Sequence, residues 1–167
     1  VKNMVTPSFE EVKKYAKDYS VIPICKEIYA DLATPITLLR RIVRYKKDAF
    51  LLESIEGGEK WARYSFLGFD PKARIYCKDS VVTIEGEGAA VIKTPRPLEV
   101  LRKYMQRYQA PQFEHIPPFT GGLVGYYGYH MIAYSEPALK LQNGDCNDFD
   151  LLLADKVIDY DHLKQKI

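Results

Sequence analysis

Apolar positions recur along this chain first at helical and then at strand spacing. Between residues 8 and 19, Phe9, Val12, Ala16 and Tyr19 fall on one face of a 3.6-residue repeat. Ser8 precedes them and Glu11 follows it by three, the hydroxyl–carboxylate spacing that satisfies free amides at a helix start. The pattern predicts a helix from Ser8 to Tyr19. Val21 to Tyr29 is extended in character, and Pro23 suits an edge because it has no amide to give a ladder. Thr34 and Pro35 open a second helix, threonine as N-cap and proline in the first turn. Its apolar stripe is Ile36, Leu39, Ile42 and Val43, and residues 45–48 close it.

From residue 49 the period shortens to two. Strands are predicted at Ala49 to Ile55, Trp61 to Phe69, Ala73 to Cys77, Ser80 to Glu85 and Ala89 to Ile92. Turns fall at Gly57-Gly58, Asp79-Ser80 and Gly86 to Gly88. Such short connections imply an antiparallel meander. Pro97 opens a further helix with Leu98, Leu101, Tyr104, Met105 and Tyr108 on its buried side, ended by Pro111. Gly121 to Tyr129 reads as a glycine-rich strand, and Phe149 to Tyr160 as a long one. His162 to Ile167 begins another alternating segment, so the chain is expected to stop inside an element, as a fragment would. Helices mixed with antiparallel strands predict an α+β fold with a few packed helices.

Composition narrows the function classes. A length of 167 residues suits one domain, or one and a piece of another. Net charge is +2, which points to neither nucleic acid nor an anionic membrane as partner. Arg40, Arg41, Arg44, Lys46 and Lys47 alternate with apolar positions and read as a solvated helix face in preference to a phosphate patch. Cys25, Cys77 and Cys146 are odd in number and widely spaced, which argues against a disulfide framework or a zinc site. No apolar run reaches the ~20 residues of a membrane helix. The first residues do not form a signal peptide, so a reducing cytoplasm is the expected compartment.

Candidate chemistry is sparse. There is no GxSxG elbow, HExxH pair, Walker loop or GxGxxG turn. His115, His130 and His162 lie in three separate segments and read as surface or packing residues. Two segments stand out. In Leu51-Leu52-Glu53-Ser54, strand alternation puts Leu52 and Ser54 on one side and Leu51 and Glu53 on the other. Arg63 and Ser65 alternate likewise on the expected partner strand. Two readings of this hairpin stay open. It is a half-buried hairpin with polar ends, which the pattern alone favours, or a small amino-acid pocket in which Glu53, the Ser54 hydroxyl and backbone groups meet the ligand's charges. The second segment is Pro117-Pro118-Phe119-Thr120-Gly121-Gly122-Leu123-Val124-Gly125-Tyr126. Its glycines suit close strand packing better than anion binding, since no helix or lysine follows.

Taken together, LLES…GE…RYSFLG..P, then PPFTGGLVGYYGY, then DFDLLLADKVIDYDH resemble the amino-terminal region of anthranilate synthase component I, a chorismate-utilising enzyme. The resemblance spans Pro35 to the end. It implies an α+β region of antiparallel sheets, here residues 1–167, belonging to a larger two-lobed enzyme. That enzyme is a lyase that makes anthranilate and pyruvate from chorismate, using ammonia from a glutamine amidotransferase subunit, component II. The resemblance places chorismate and Mg2+ in a carboxyl-terminal catalytic domain, with none of those motifs matched here, so this stretch alone is expected to be inactive. It makes the matching region the site where tryptophan inhibits, with Ser54 above all, Glu53 and Leu52 as contacts, Pro35 lining, and Arg63 and Tyr64 across the hairpin. In the family that pocket also borrows residues from the catalytic domain. His130 departs from the acidic residue common after GYYGY. The aminodeoxychorismate synthase subunit shares much of the pattern. A stand-alone amino-acid-binding module and an interaction domain built on the 13 tyrosines are alternatives of other classes.

Overall fold

In a computed structural model of the chain, which describes residues 5–53, 63–114, 116–136, 138–139, 141 and 144–167, the first two of the three predicted helix starts carry side-chain caps. The Ser8 amide donates to Glu11 Oε2 at 2.8 Å while the Glu11 amide donates back to the Ser8 hydroxyl, opening α1 (Phe9–Tyr15). Thr34 and Thr37 make the same reciprocal pair before α2 (Pro35–Ile42). α1 is shorter than its predicted span, and its stripe is not a core face. Phe9 is 71% exposed, with the Lys13 ammonium 4.4 Å from its ring centre. Tyr15 turns instead to the edge of Phe113, 5.1 Å between ring centres.

The strands are β1 (Val5–Thr6), β2 (Cys25–Lys26), β3 (Ala49–Leu52), β4 (Tyr64–Phe69), β5 (Ala73–Lys78), β6 (Val81–Gly86), β7 (Ala90–Lys93), β8 (Gly122–Tyr127), β9 (Phe149–Ala154) and β10 (Val157–Asp161). A third helix, α3 (Pro97–Met105), follows β7, and a 3₁₀ helix (Tyr129–Tyr134) follows β8. The α+β expectation holds, but one meander does not form. The chain divides into two compact units, Val1–Asp70 with Arg107–Gly121 and Lys156–Ile167, and Pro71–Gln106 with Gly122–Asp155. The expected run of strands breaks at Asp70-Pro71. Asp70 has φ 48, outside the β region, and proline has no amide to continue a ladder. The long strand expected from Phe149 to Tyr160 is likewise two strands, β9 and β10, in different sheets.

The first unit holds a three-stranded antiparallel sheet of order β10-β4-β3, with α2 packed against β3 and β4, and a two-stranded sheet of β1 and β2. Leu67 is fully buried at its centre, beside Ser65 and Tyr160. Residues after β10 do not start another strand. Asp161 accepts the amides of Leu163 and Lys164 at 3.0 Å each, which turns the chain, and Lys166 then bridges back to Tyr29.

The second unit is a five-stranded antiparallel sheet of order β7-β6-β5-β9-β8. Asp79 and Ser80 have φ 49 and 64, so the β5–β6 hairpin turns with both central residues left-handed, which matches strand twist. Ile75, Val82, Leu151 and Phe149 make its core with Leu101 and Tyr104 of α3. The buried stripe of α3 is narrower than predicted, with Leu98 43% exposed. At Gly125 a Cβ would lie 2.0 Å from the Asp150 carbonyl oxygen, so the glycine lets β8 approach β9 closely. No helix among the described residues is long and apolar enough to cross a membrane.

Candidate functional site

The sheet of the first unit places the sequence-predicted residues on its two faces. Leu52 on β3 stands opposite Phe66 on β4, which stands opposite Asp159 on β10. Directly opposed residues share a face, so these three side chains, with Tyr64 and its partner Asp161, lie on one side. Leu51, Leu67, Ile158, Ser65 and Tyr160 lie on the other. α2 brings Pro35, buried in its first turn, on the helix that packs against this hairpin. Ser54, together with Gly57, Gly58 and Trp61, lies outside the described residues.

Glu53 follows the end of β3, and its carboxylate accepts from the Ser65 hydroxyl at 3.4 Å. Ser65 Oγ is also hydrogen-bonded to His162 Nε2 at 2.7 Å, and the His162 ring lies 4.8 Å from Tyr160. A serine–histidine pair at this distance has the geometry of an activated nucleophile. Ser65 is only 2% exposed, however, so the pair ties β4 to the end of β10, and Glu53 adds the end of β3. Arg63 directly precedes β4. Its guanidinium grips Asp161 with Nη2 to Oδ2 at 2.6 Å and Nε to both oxygens at 3.1 Å, and lies over the Tyr64 ring at 4.9 Å. Burial opposes charge on Asp161, but Arg63 and two backbone amides outweigh it and hold the carboxyl below its usual range.

Asp159, two residues earlier on the same face, is the contrasting case. Its Oδ1 is shielded from water and has no hydrogen-bond partner. Burial pushes this carboxyl up to about 7. Its charge in turn reinforces the effect of burial on the Cys25 thiol and the Tyr64 phenol, both raised. Rings line this side as well. Tyr64 and Phe66 are 5.9 Å apart, and Phe66 meets Phe119 edge-on at 5.4 Å. Strand alternation alone made Ser65 visible in the sequence. His162, Asp159 and Asp161 were not, because β10 reaches β4 only through the fold.

A cavity of about 720 Å3 lies within the other unit. Tyr134 crosses its floor, accepting the Ser80 amide at 2.9 Å and donating to Asp148 at 2.7 Å. Cys77 sits beneath, its thiol pushed up to about 11 by burial. His130 lines the cavity, and Gly144 is needed beside it, since a Cβ there would be 2.7 Å from the imidazole. All three cysteines are free thiols, with Cys25 half-buried and Cys146 exposed. Among the described residues no His, Cys, Asp and Glu cluster has the make-up of a metal site.

No family model matches the chain. Curated relatives do. Over 98% of its length the chain is 39% identical to anthranilate synthase component 1 of Acetivibrio thermocellus, matching 34% of that protein. It is related to anthranilate synthase component 1. The corresponding protein of Pseudomonas aeruginosa is 35% identical over 95% of this chain and 33% of its own. That of Aquifex aeolicus is 32% identical over 96% and 33%. A crystal structure of anthranilate synthase component I from Streptococcus pneumoniae covers 83% of this chain and 29% of its own, with 25% identity and a TM-score of 0.49. The chain thus spans about a third of the length of the anthranilate synthase components it matches. The likeness carried by LLES, RYSFLG and PPFTGGLVGYYGY extends along nearly all of it.

Proposed function

We propose that this chain is the amino-terminal region of an anthranilate synthase component I and carries the site through which tryptophan inhibits that enzyme. The observation that supports this most is 39% identity to such a component along 98% of the chain. The enzyme's chemistry, conversion of chorismate to anthranilate and pyruvate with ammonia from a glutaminase subunit, belongs to its carboxyl-terminal domain, as does Mg2+. What this region contributes is regulation, in the cytoplasm. Leu52 and Glu53 mark the tryptophan site, with Ser54 as its central hydroxyl, Pro35 on the overlying helix, and Arg63 and Tyr64 at its end.

The physics of such inhibition is a coupling between two sites. Tryptophan must bind one conformation better than another, and typical couplings are ~1–3 kcal/mol. The Glu53–Ser65–His162 connection joins β3, β4 and β10, so a shift at Glu53 displaces all three strands together. The test is Ser54→Ala in the full-length enzyme, read as the ratio of turnover with and without tryptophan. The tryptophan concentration for half inhibition is expected to rise at least ~10-fold, the effect of about 1.4 kcal/mol. An unchanged ratio across the titration would remove Ser54 from the site.

A further inference from the structure

We infer that Asp159 receives the ammonium group of the amino acid bound on this face of the sheet, and so makes a free α-amino group a condition of binding. The inference rests on the tryptophan reading and adds to it a residue outside the hairpin motif.

Three carboxylates stand near the site, and two already have partners. Asp161 is held by the Arg63 guanidinium and two backbone amides. Glu53 accepts from Ser65. Asp159 alone of the three has a shielded oxygen with no partner, and only burial acts on its ionisation. Burial without compensation favours the neutral form of this carboxyl, and a cation brought beside it restores the charged one. The groups whose ionisation its charge affects are the Cys25 thiol and the Tyr64 phenol, and the nearby Arg63 guanidinium is already paired with Asp161. None of these is a free cation.

Position makes the cation an amino acid's. Asp159 shares a rung with Leu52 and Phe66, so it lies directly across the sheet from a residue of the LLES motif. Tyr64, Phe66 and Phe119 form a row of rings on the same side, which suits an aromatic side chain. An ammonium offers three donors to a carboxylate, and charge-assisted bonds of this kind are about twice as strong as neutral ones.

The test compares L-tryptophan with indole-3-propionate, which has the ring and carboxylate but no ammonium, on the full-length enzyme. In Asp159→Asn, tryptophan affinity is expected to fall at least ~10-fold while indole-3-propionate binds within about twofold of wild type. Equal losses for both ligands, or no loss for either, would overturn the inference. A measurement on the wild type needs no variant. Pairing with an ammonium must drive the proton off Asp159, so calorimetry at about pH 6 in buffers of different ionisation enthalpy should show net proton release on tryptophan binding. No release would also overturn it. If Ser54→Ala relieves inhibition while Asp159→Asn does not, Asp159 falls and the tryptophan reading stands. If the wild type binds no tryptophan, both fall.

Discussion

Asp159 and Asp161 sit two residues apart on one strand face and are driven in opposite directions. Arg63 keeps one ionised, while burial without a partner favours the neutral form of the other. The difference has a consequence for stability. A carboxyl whose folded value lies near 7 against 3.8 unfolded binds more protons in the folded state between those pH values. Its contribution is therefore fully present below about pH 4 and is lost as pH rises through 7. Asp159→Asn removes that loss. Relative to wild type, the variant is expected to gain on the order of 2 kcal/mol on going from pH 5 to pH 8, after allowance for partial exposure. Urea unfolding of both proteins at the two pH values measures it, and parallel pH dependences would show that the Asp159 carboxyl is not raised in the folded chain. Of the site's residues, Leu52, Glu53 and Ser65 were legible from alternation on neighbouring strands. Asp159 was not, because nothing in VIDYD distinguishes an acid that finds a guanidinium from one that does not.

At the scale of elements, local chemistry foretold starts better than ends or neighbours. Both capping boxes form where the spacing of Ser8 with Glu11 and Thr34 with Thr37 permits them, because each is closed within one turn. The apolar stripe of α1 misled, since periodicity shows which residues share a face but not what covers it. The glycine-rich segment was read as close strand packing, and Gly125 bears this out. An added methyl there would meet the Asp150 carbonyl, which is backbone and cannot swing aside. Gly125→Ala is expected to cost about 3 kcal/mol or more by forcing β8 from β9. Chemical denaturation of the variant checks this, and a cost below about half a kcal/mol would show that the strands have room.

For the whole chain, the governing fact is that it spans about a third of its anthranilate synthase relatives. On the proposed reading, the tryptophan pocket draws residues from the catalytic domain as well as from this region. The 167-residue chain by itself is therefore expected to bind tryptophan more weakly than micromolar. Isothermal calorimetry decides it, and micromolar or tighter binding would mean that this region holds a complete site.

The caps at Ser8 and Thr34, the turn at Asp79-Ser80, the α+β class and the motifs that tie the chain to its relatives could all be read from residues near one another in sequence. These features depend on interactions closed within a few residues, where side-chain type and spacing suffice. Which strands became neighbours could not be read in this way. β10 joins β4, and β9 enters between β5 and β8, across long stretches of chain. Only that long-range pairing sets Asp159 opposite Phe66, gives Asp161 its arginine and leaves Asp159 without a partner, because burial and compensation of charge are properties of the assembled sheet.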